Sequence, residues 1–222
     1  YPGKVACTIF TSGCSYKCPF CHNRDLVYIP ENYQFLDVDE IFQFLDKRKN
    51  ILDGVCISGG EPLMQEKLIP FLKENKKRGY EIKLDVTGNY LDRLKENVDA
   101  KLVDSIAMDV KNTKGKYALT VGSESENFPV ESIDACISFI RTCGIPYEFR
   151  TTIVRELHTK EDLIAMAKWL KGVDVWYLQQ FQDSPNCIQE GFHSYNKQEM
   201  LEILEAVKQY VPNAEVRGVK EE

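Results

Sequence analysis

Six times along this chain a short β-rich apolar run gives way to an amphipathic helical stripe. Strands are predicted at Val5–Phe10, Gly54–Ser58, Glu81–Val86, Leu102–Asp109, Pro146–Thr152 and Val173–Phe181. Helices are predicted over 37–48 with Asp37 as N-cap, from Leu68 to the basic turn Lys76-Lys77-Arg78, and around 90–97. Three more follow from the stripes Ile133–Ile140, Leu163–Leu170 (opening near Thr159 or Lys160) and Met200–Val207. Residues 111–128 read as a long polar loop, which inside a compact domain is usually functional or mobile. A short tail follows the last helix. With no internal repeat and no linker, one α/β domain over residues 1–222 is expected.

Strand–helix alternation produces parallel strands joined by right-handed crossovers. Two architectures fit, an open doubly wound sheet or a barrel. Both gather chemistry at the C-terminal ends of the strands. The polar candidates obey that rule. A cysteine loop follows the first strand and Gly59-Gly60-Glu61 the second. Asp85 ends the third, Asp109 and Lys111 the fourth, Arg150 lies late in the fifth, and Gln179–Gln182 end the sixth.

Composition narrows the function. The balance of 28 basic and 34 acidic residues, net −6, argues against broad phosphate-backbone binding and so against a nucleic-acid partner. No run is long enough to span a membrane, and the first residues are not a signal peptide. Residue 1 is Tyr and not Met, so the native N-terminus is expected before it. The eight cysteines are either clustered or scattered through apolar runs, a pattern of a reducing, cytoplasmic setting and not of a disulfide framework.

Cys14, Cys18 and Cys21 place three thiols within eight residues, close enough to wrap one metal centre. A zinc knuckle or a redox thiol pair is the plain alternative. Zinc wants a fourth ligand, however; His22 is poorly spaced for it, and the next cysteine downstream is Cys56. Three thiolates on a four-iron cubane leave one iron open to a small molecule. Cys7, Cys56, Cys136, Cys143 and Cys187 show no ligand spacing, and His158 and His193 sit in polar stretches and read as solvated. Asp85 and Asp109 end otherwise apolar strands, where an unpaired charge is costly; a shared cation or Lys111 would resolve that cost. An Asp–Lys salt bridge is the bland reading of either acid.

Cys14-x3-Cys18-x2-Cys21 resembles the signature of the radical S-adenosylmethionine (SAM) enzymes, and Gly59-Gly60-Glu61-Pro62 follows in the right order. Cys21-His22-Asn23-Arg24-Asp25 is similar to the glycyl-radical-enzyme activases. Tyr1-Pro-Gly-Lys4 and Asp109-Val-Lys111 are similar to the branch that activates anaerobic ribonucleotide reductase. The resemblance runs from residue 1 to about Gln182 and implies a partial (β/α)6 barrel with parallel strands. It implies a [4Fe–4S] cluster on Cys14, Cys18 and Cys21. The backbone of Phe20, Cys21 and His22 would meet the SAM adenine, and Gly59, Gly60 and Glu61 its amino group. Lys111, within Asp109-Val110-Lys111-Asn112, would neutralise its carboxylate, with Arg150 a second cationic candidate. Gln182 stands where pyruvate formate-lyase activases carry a ribose-side His. Those activases also hold a monovalent cation, here by Asp85, Asp109 and the carbonyls of Val86 and Ala107; Leu84-Asp85-Val86-Thr87-Gly88 departs from their usual pattern.

The implied chemistry is reductive cleavage of SAM and hydrogen abstraction from a glycine Cα on a partner enzyme. The chain carries no lid domain and no second cluster motif, so a large partner would supply the missing wall. Anaerobic ribonucleoside-triphosphate reductase is the expected partner, a pyruvate formate-lyase-type enzyme the alternative, and flavodoxin or ferredoxin the expected electron donor. Two other classes stay open: a radical SAM enzyme acting on a small molecule or peptide, and a non-catalytic iron–sulfur electron carrier.

Overall fold

A computed structural model of the protein describes residues 1–125 and 128–219. Seven strands form one sheet: β1 (Ala6–Thr11), β2 (Gly54–Gly59), β3 (Glu81–Val86), β4 (Ser105–Asp109), β5 (Tyr147–Ile153), β6 (Trp176–Gln180) and β7 (Ala214–Arg217). They lie side by side in chain order, every neighbour parallel. A doubly wound sheet reverses its order at a switch point. This one never does, so every crossover steps the same way and the sheet curls into a partial barrel with β1 and β7 at its margins.

The helices are α1 (Arg24–Val27), α2 (Val38–Asp46), α3 (Leu68–Lys77), α4 (Leu91–Asp99), α5 (Tyr117–Thr120), α6 (Val130–Thr142), α7 (Lys160–Trp169) and α8 (Lys197–Lys208). Asp37, Thr159 and Asn196 cap α2, α7 and α8, each in a reciprocal box with an acid three residues on. Among the described residues no helix is long and apolar enough to cross a membrane.

Side chains alternate across a strand. In β3, Ile82, Leu84 and Val86 are buried, and Lys83 and Asp85 take the opposite face. In β5, Phe149, Thr151 and Ile153 are wholly buried, and Glu148 and Arg150 alternate with them. The first set packs with Leu72, Leu94, Ile133, Ile137, Leu163, Met166 and Ile203 of the helices in one continuous core. The second set lines a polar lumen of about 530 Å³. Tyr1 lines it too, its hydroxyl donating to Glu81 at 3.2 Å beside the Lys4–Glu81 pair at 2.6 Å. Tyr1-Pro-Gly-Lys4 is therefore pinned at the N-terminal end of β3, at the opposite end of the strands from the cysteine loop.

Three expectations need correction. The tail contains β7, whose four residues pair with β6 from Trp176↔Ala214 to Gln179↔Arg217. The fourth strand begins at Ser105, because Leu102 and Val103 are buried ahead of it without joining the ladder. The stretch 111–128, of which 126 and 127 lie outside the described residues, is a built element and not an open loop. A 3-10 turn at Lys114–Lys116 leads into α5, and Tyr117 is fully buried, stacked on Phe128 and edge-on to Trp169. Tyr117→Ala is expected to destabilise the fold by about 3–5 kcal/mol, as other buried aromatic truncations do. Urea unfolding monitored by circular dichroism checks this; a loss below about 1 kcal/mol would return the segment to a loop.

Candidate active site

The cysteine loop leaves the C-terminal end of β1 and is fastened on every side. Gly13 N–H donates to Leu26 of α1 at 2.7 Å, and its carbonyl accepts from Glu61 N–H at 2.8 Å. Gln65 donates to Ser12 at 2.7 Å, and Lys17 N–H to the Val121 carbonyl beyond α5 at 2.9 Å. Gln189 N–H reaches the Pro19 carbonyl at 2.8 Å and Ile188 N–H the Cys21 carbonyl at 3.2 Å. His22 stacks on Phe181, ring centroids 5.5 Å apart, with Nε2 2.5 Å from the Gln182 carbonyl oxygen. The loop thus touches the ends of β2 and β6 and the segment after β4, and forms one rim of the mouth.

All eight cysteines are free thiols. Burial pushes Cys14 up to about 11 and Cys18 up to about 12, and each feels the charge of Cys21. Lys111 acts the other way on both. A bare thiolate at either place is unfavourable, so these thiols ionise only with a compensating positive centre. Among the described residues, no three His, Cys, Asp or Glu side chains converge on a point where one metal ion would sit.

The second rim is Gly59-Gly60. Gly59 has φ +117°, a conformation open to glycine. A Cβ on Gly60 would stand 2.0 Å from the Gly13 carbonyl oxygen, so the two segments approach as closely as backbone allows. Glu61 turns inward, fully buried. Its carboxylate accepts from Leu63 N–H at 2.9 Å and from Thr87 N–H and hydroxyl at 2.8 and 2.5 Å. Burial raises its pKa against those hydrogen bonds. Its side chain is therefore a brace between β2 and β3, which leaves the main chain of this turn as the part that faces outward.

Arg150 links the two strand-end acids. Its Nη1 is 3.1 Å from Asp85 Oδ2 and its Nε 2.9 Å from Asp109 Oδ1. Lys111 Nζ takes the other Asp109 oxygen at 2.9 Å, and Lys83 pairs with the other Asp85 oxygen. Glu148 carries the ladder on to Lys83 at 3.6 Å and Arg217 at 3.1 Å. Burial alone would raise the Asp109 carboxyl, but the charges of Arg150 and Lys111 outweigh it and hold the group below the ordinary carboxylate range. Burial likewise works to lower the Lys111 ammonium, and Asp109, Cys18 and Cys21 overcome it and raise it. Lys111 stays charged beside the thiols.

Several expected contacts face elsewhere. Val110 is buried on the opposite side of the chain from Asp109 and Lys111, its carbonyl accepting from the Thr151 hydroxyl at 2.7 Å. Asn112 is buried too, its amide donating to Thr120 and Leu157 and accepting from Thr113. The Phe20 ring is core, which leaves its backbone as the expected contact, and Gln182 directs its side-chain amide to the Gly218 carbonyl at 2.8 Å. Val86 and Ala107 sit in the β3–β4 ladder, where a central-strand carbonyl points to the neighbouring strand. His158, read as solvated, is wholly buried: its Nδ1 accepts from Val154 N–H at 3.1 Å and its Nε2 donates to the Lys111 carbonyl at 2.7 Å. It fixes the backbone of Lys111, and a lone His in a polar stretch carries no sequence sign of that. His193 is exposed, as expected.

Comparison with known proteins gives this geometry a family. The radical SAM superfamily matches over residues 8–170, most of the chain. This chain belongs to that superfamily of enzymes. It is 32% identical over 99% of its length, and 91% of the relative's, to a Methanocaldococcus jannaschii protein named provisionally as a glycyl-radical enzyme activating enzyme. It is 28% identical to the pyruvate formate-lyase-activating enzyme of Clostridium pasteurianum, covering 78% of this chain and 71% of that one. In fold it is similar to SAM-bound SuiB of Streptococcus suis, TM-score 0.75 at 13% identity, spanning 96% of this chain and about half of SuiB.

The superfamily implies a [4Fe–4S] cluster and SAM. The donor set fits: three free thiols on one loop, with the Lys111 ammonium lowering the cost of ionising Cys14 and Cys18. Two outcomes test the site. Gly60→Ala pushes the turn off Gly13 and is expected to cost about 1–3 kcal/mol. Iron bound per chain after anaerobic reconstitution should fall with it; full iron content with unchanged stability would refute the close approach. Asp109→Asn leaves Arg150 and Lys111 underpaired, costing about 1–3 kcal/mol at pH 7 for this half-buried position. A depressed carboxyl stabilises above its unfolded pKa and loses that contribution as pH falls toward its folded one. The gap between wild type and Asp109→Asn in urea titrations should therefore narrow below about pH 4.

Proposed function

We propose that this chain is an activase that installs a glycyl radical on a partner enzyme by reductive cleavage of SAM. One observation carries the SAM part: three free thiols, the Gly59-Gly60 edge and the Lys111 ammonium come from three separate segments to one mouth. The relatives support the activase part, one of them over 91% of its own length.

Cys14, Cys18 and Cys21 would hold the cluster, whose chemistry would be one-electron reduction of the SAM sulfonium. The protein supplies position and charge. The main chain of Gly59 and Gly60 receives the amino group of SAM. Lys111, held from behind by Asp109 and His158, meets its carboxylate. His22 and the backbone at Cys21 form the adenosyl side, with Gln182 contributing its carbonyl through His22. No side chain in the mouth needs to act as a general base, because the hydrogen leaves the glycine as an atom.

Anaerobic ribonucleoside-triphosphate reductase is the partner we place first, with a flavodoxin or ferredoxin as electron donor and a cytoplasmic setting that suits eight free thiols. A pyruvate formate-lyase-type partner is the second reading, favoured by the 28% match to that activase. Reconstituted protein, SAM and reductant are mixed anaerobically with each partner and examined by electron paramagnetic resonance. A glycyl doublet with one partner is the expected result. SAM cleavage with no doublet on any glycyl-radical enzyme would refute the activase function.

A further inference from the structure

The geometry points to one more assignment: the Arg150 guanidinium takes the place of the monovalent cation implied by the resemblance, a tethered positive charge between Asp85 and Asp109 that makes the pocket indifferent to Na+ and K+. This deepens the proposed function by defining what orders the floor beneath Lys111, and it is carried by side chains alone.

The expected ligand set does not fit an ion. A cation needs carboxylate oxygens whose charge is not already matched by fixed positive side chains. All four oxygens of Asp85 and Asp109 already accept from a charged nitrogen. Arg150 holds one oxygen of each, at 3.1 and 2.9 Å. Lys83 holds the second oxygen of Asp85, and Lys111 the second of Asp109 at 2.9 Å. An added ion would meet three positive side chains at contact range. The next acid along, Glu148, is itself matched by Lys83 and Arg217. The next residues offer nothing in exchange. The Thr87 hydroxyl donates to Glu61 at 2.5 Å, and the Ala107 carbonyl lies in a ladder flanked by β3 and β5.

Register explains why an arginine can do this. Asp109 pairs with Arg150 across β4 and β5, and Asp85 lies one strand further on. A guanidinium is planar and carries donors on more than one edge, so a single group reaches both acids in a fixed geometry.

The test uses the full chain without cluster or SAM. Sodium-23 NMR line widths and thermal unfolding midpoints are measured in NaCl, KCl and choline chloride at one ionic strength. Wild type is expected to show no saturable sodium broadening and the same midpoint in all three salts. Arg150→Gln frees one oxygen on each acid. It should then broaden sodium saturably, be displaced by K+, and gain roughly 3 °C or more in NaCl or KCl over choline chloride. Should Arg150→Gln not fold, Arg150→Lys carries the test, with a smaller gain because one acid keeps its partner. Saturable sodium binding by wild type overturns the assignment, and so does a folded Arg150 variant without any cation response. Neither measurement depends on SAM, so failure of SAM cleavage would strike the proposed function and leave this result readable.

Discussion

A carboxylate aimed into a narrow lumen must be answered by positive charge, and here Arg150 answers two at once. Together with Lys83 and Lys111 it offsets the cost of holding Asp85 and Asp109 at neighbouring strand ends. With it, Asp109 has one oxygen left for Lys111, and that contact decides where the ammonium stands. Lys111 in turn lies beside Cys18 and makes its ionised form less unfavourable. The charge pattern of the barrel interior is thereby transmitted to the thiols at its mouth through three side chains.

The mouth itself is held by backbone. Gly13, Gly60 and Glu61 interlock at distances only unsubstituted chain permits, and the buried Glu61 carboxylate ties that turn to the end of β3. The Glu61 carboxylate is buried with three donors, and burial raises its pKa against them. The arrangement fastens the turn from its inner side, so that its main chain forms a rim of the mouth. Segments distant in sequence close the remaining sides: Val121 under Lys17, Ile188 behind Cys21, Phe181 against His22. Radical chemistry needs water and stray C–H bonds kept away, and these contacts close the sides of the loop.

Much of this was legible beforehand, for local reasons. The six longer strands and their helices announce themselves through apolar period, and the cysteine and Gly-Gly motifs lie within short windows. β7 was not legible, because four residues at a sheet margin carry too little pattern. Tyr117 was hidden because one aromatic in a polar stretch does not reveal its depth. Lys83, Glu148 and Arg217 were overlooked although a sign existed: Glu81-Ile-Lys-Leu-Asp-Val and Tyr147-Glu-Phe-Arg alternate charged and apolar residues, the mark of a strand with a polar inner face. Reading only their ends as functional missed the ladder between. The inward turn of Glu61 and the burial of His158 depend on contacts across the fold, which spacing cannot express.

Tyr1 and Lys4 clasp Glu81 at the far end of the strands, with the Tyr1 ring close against Gly54. The clasp fastens the stretch ahead of β1 to the start of β3, spanning the strand between them, and so bounds the lumen at the end away from the thiols.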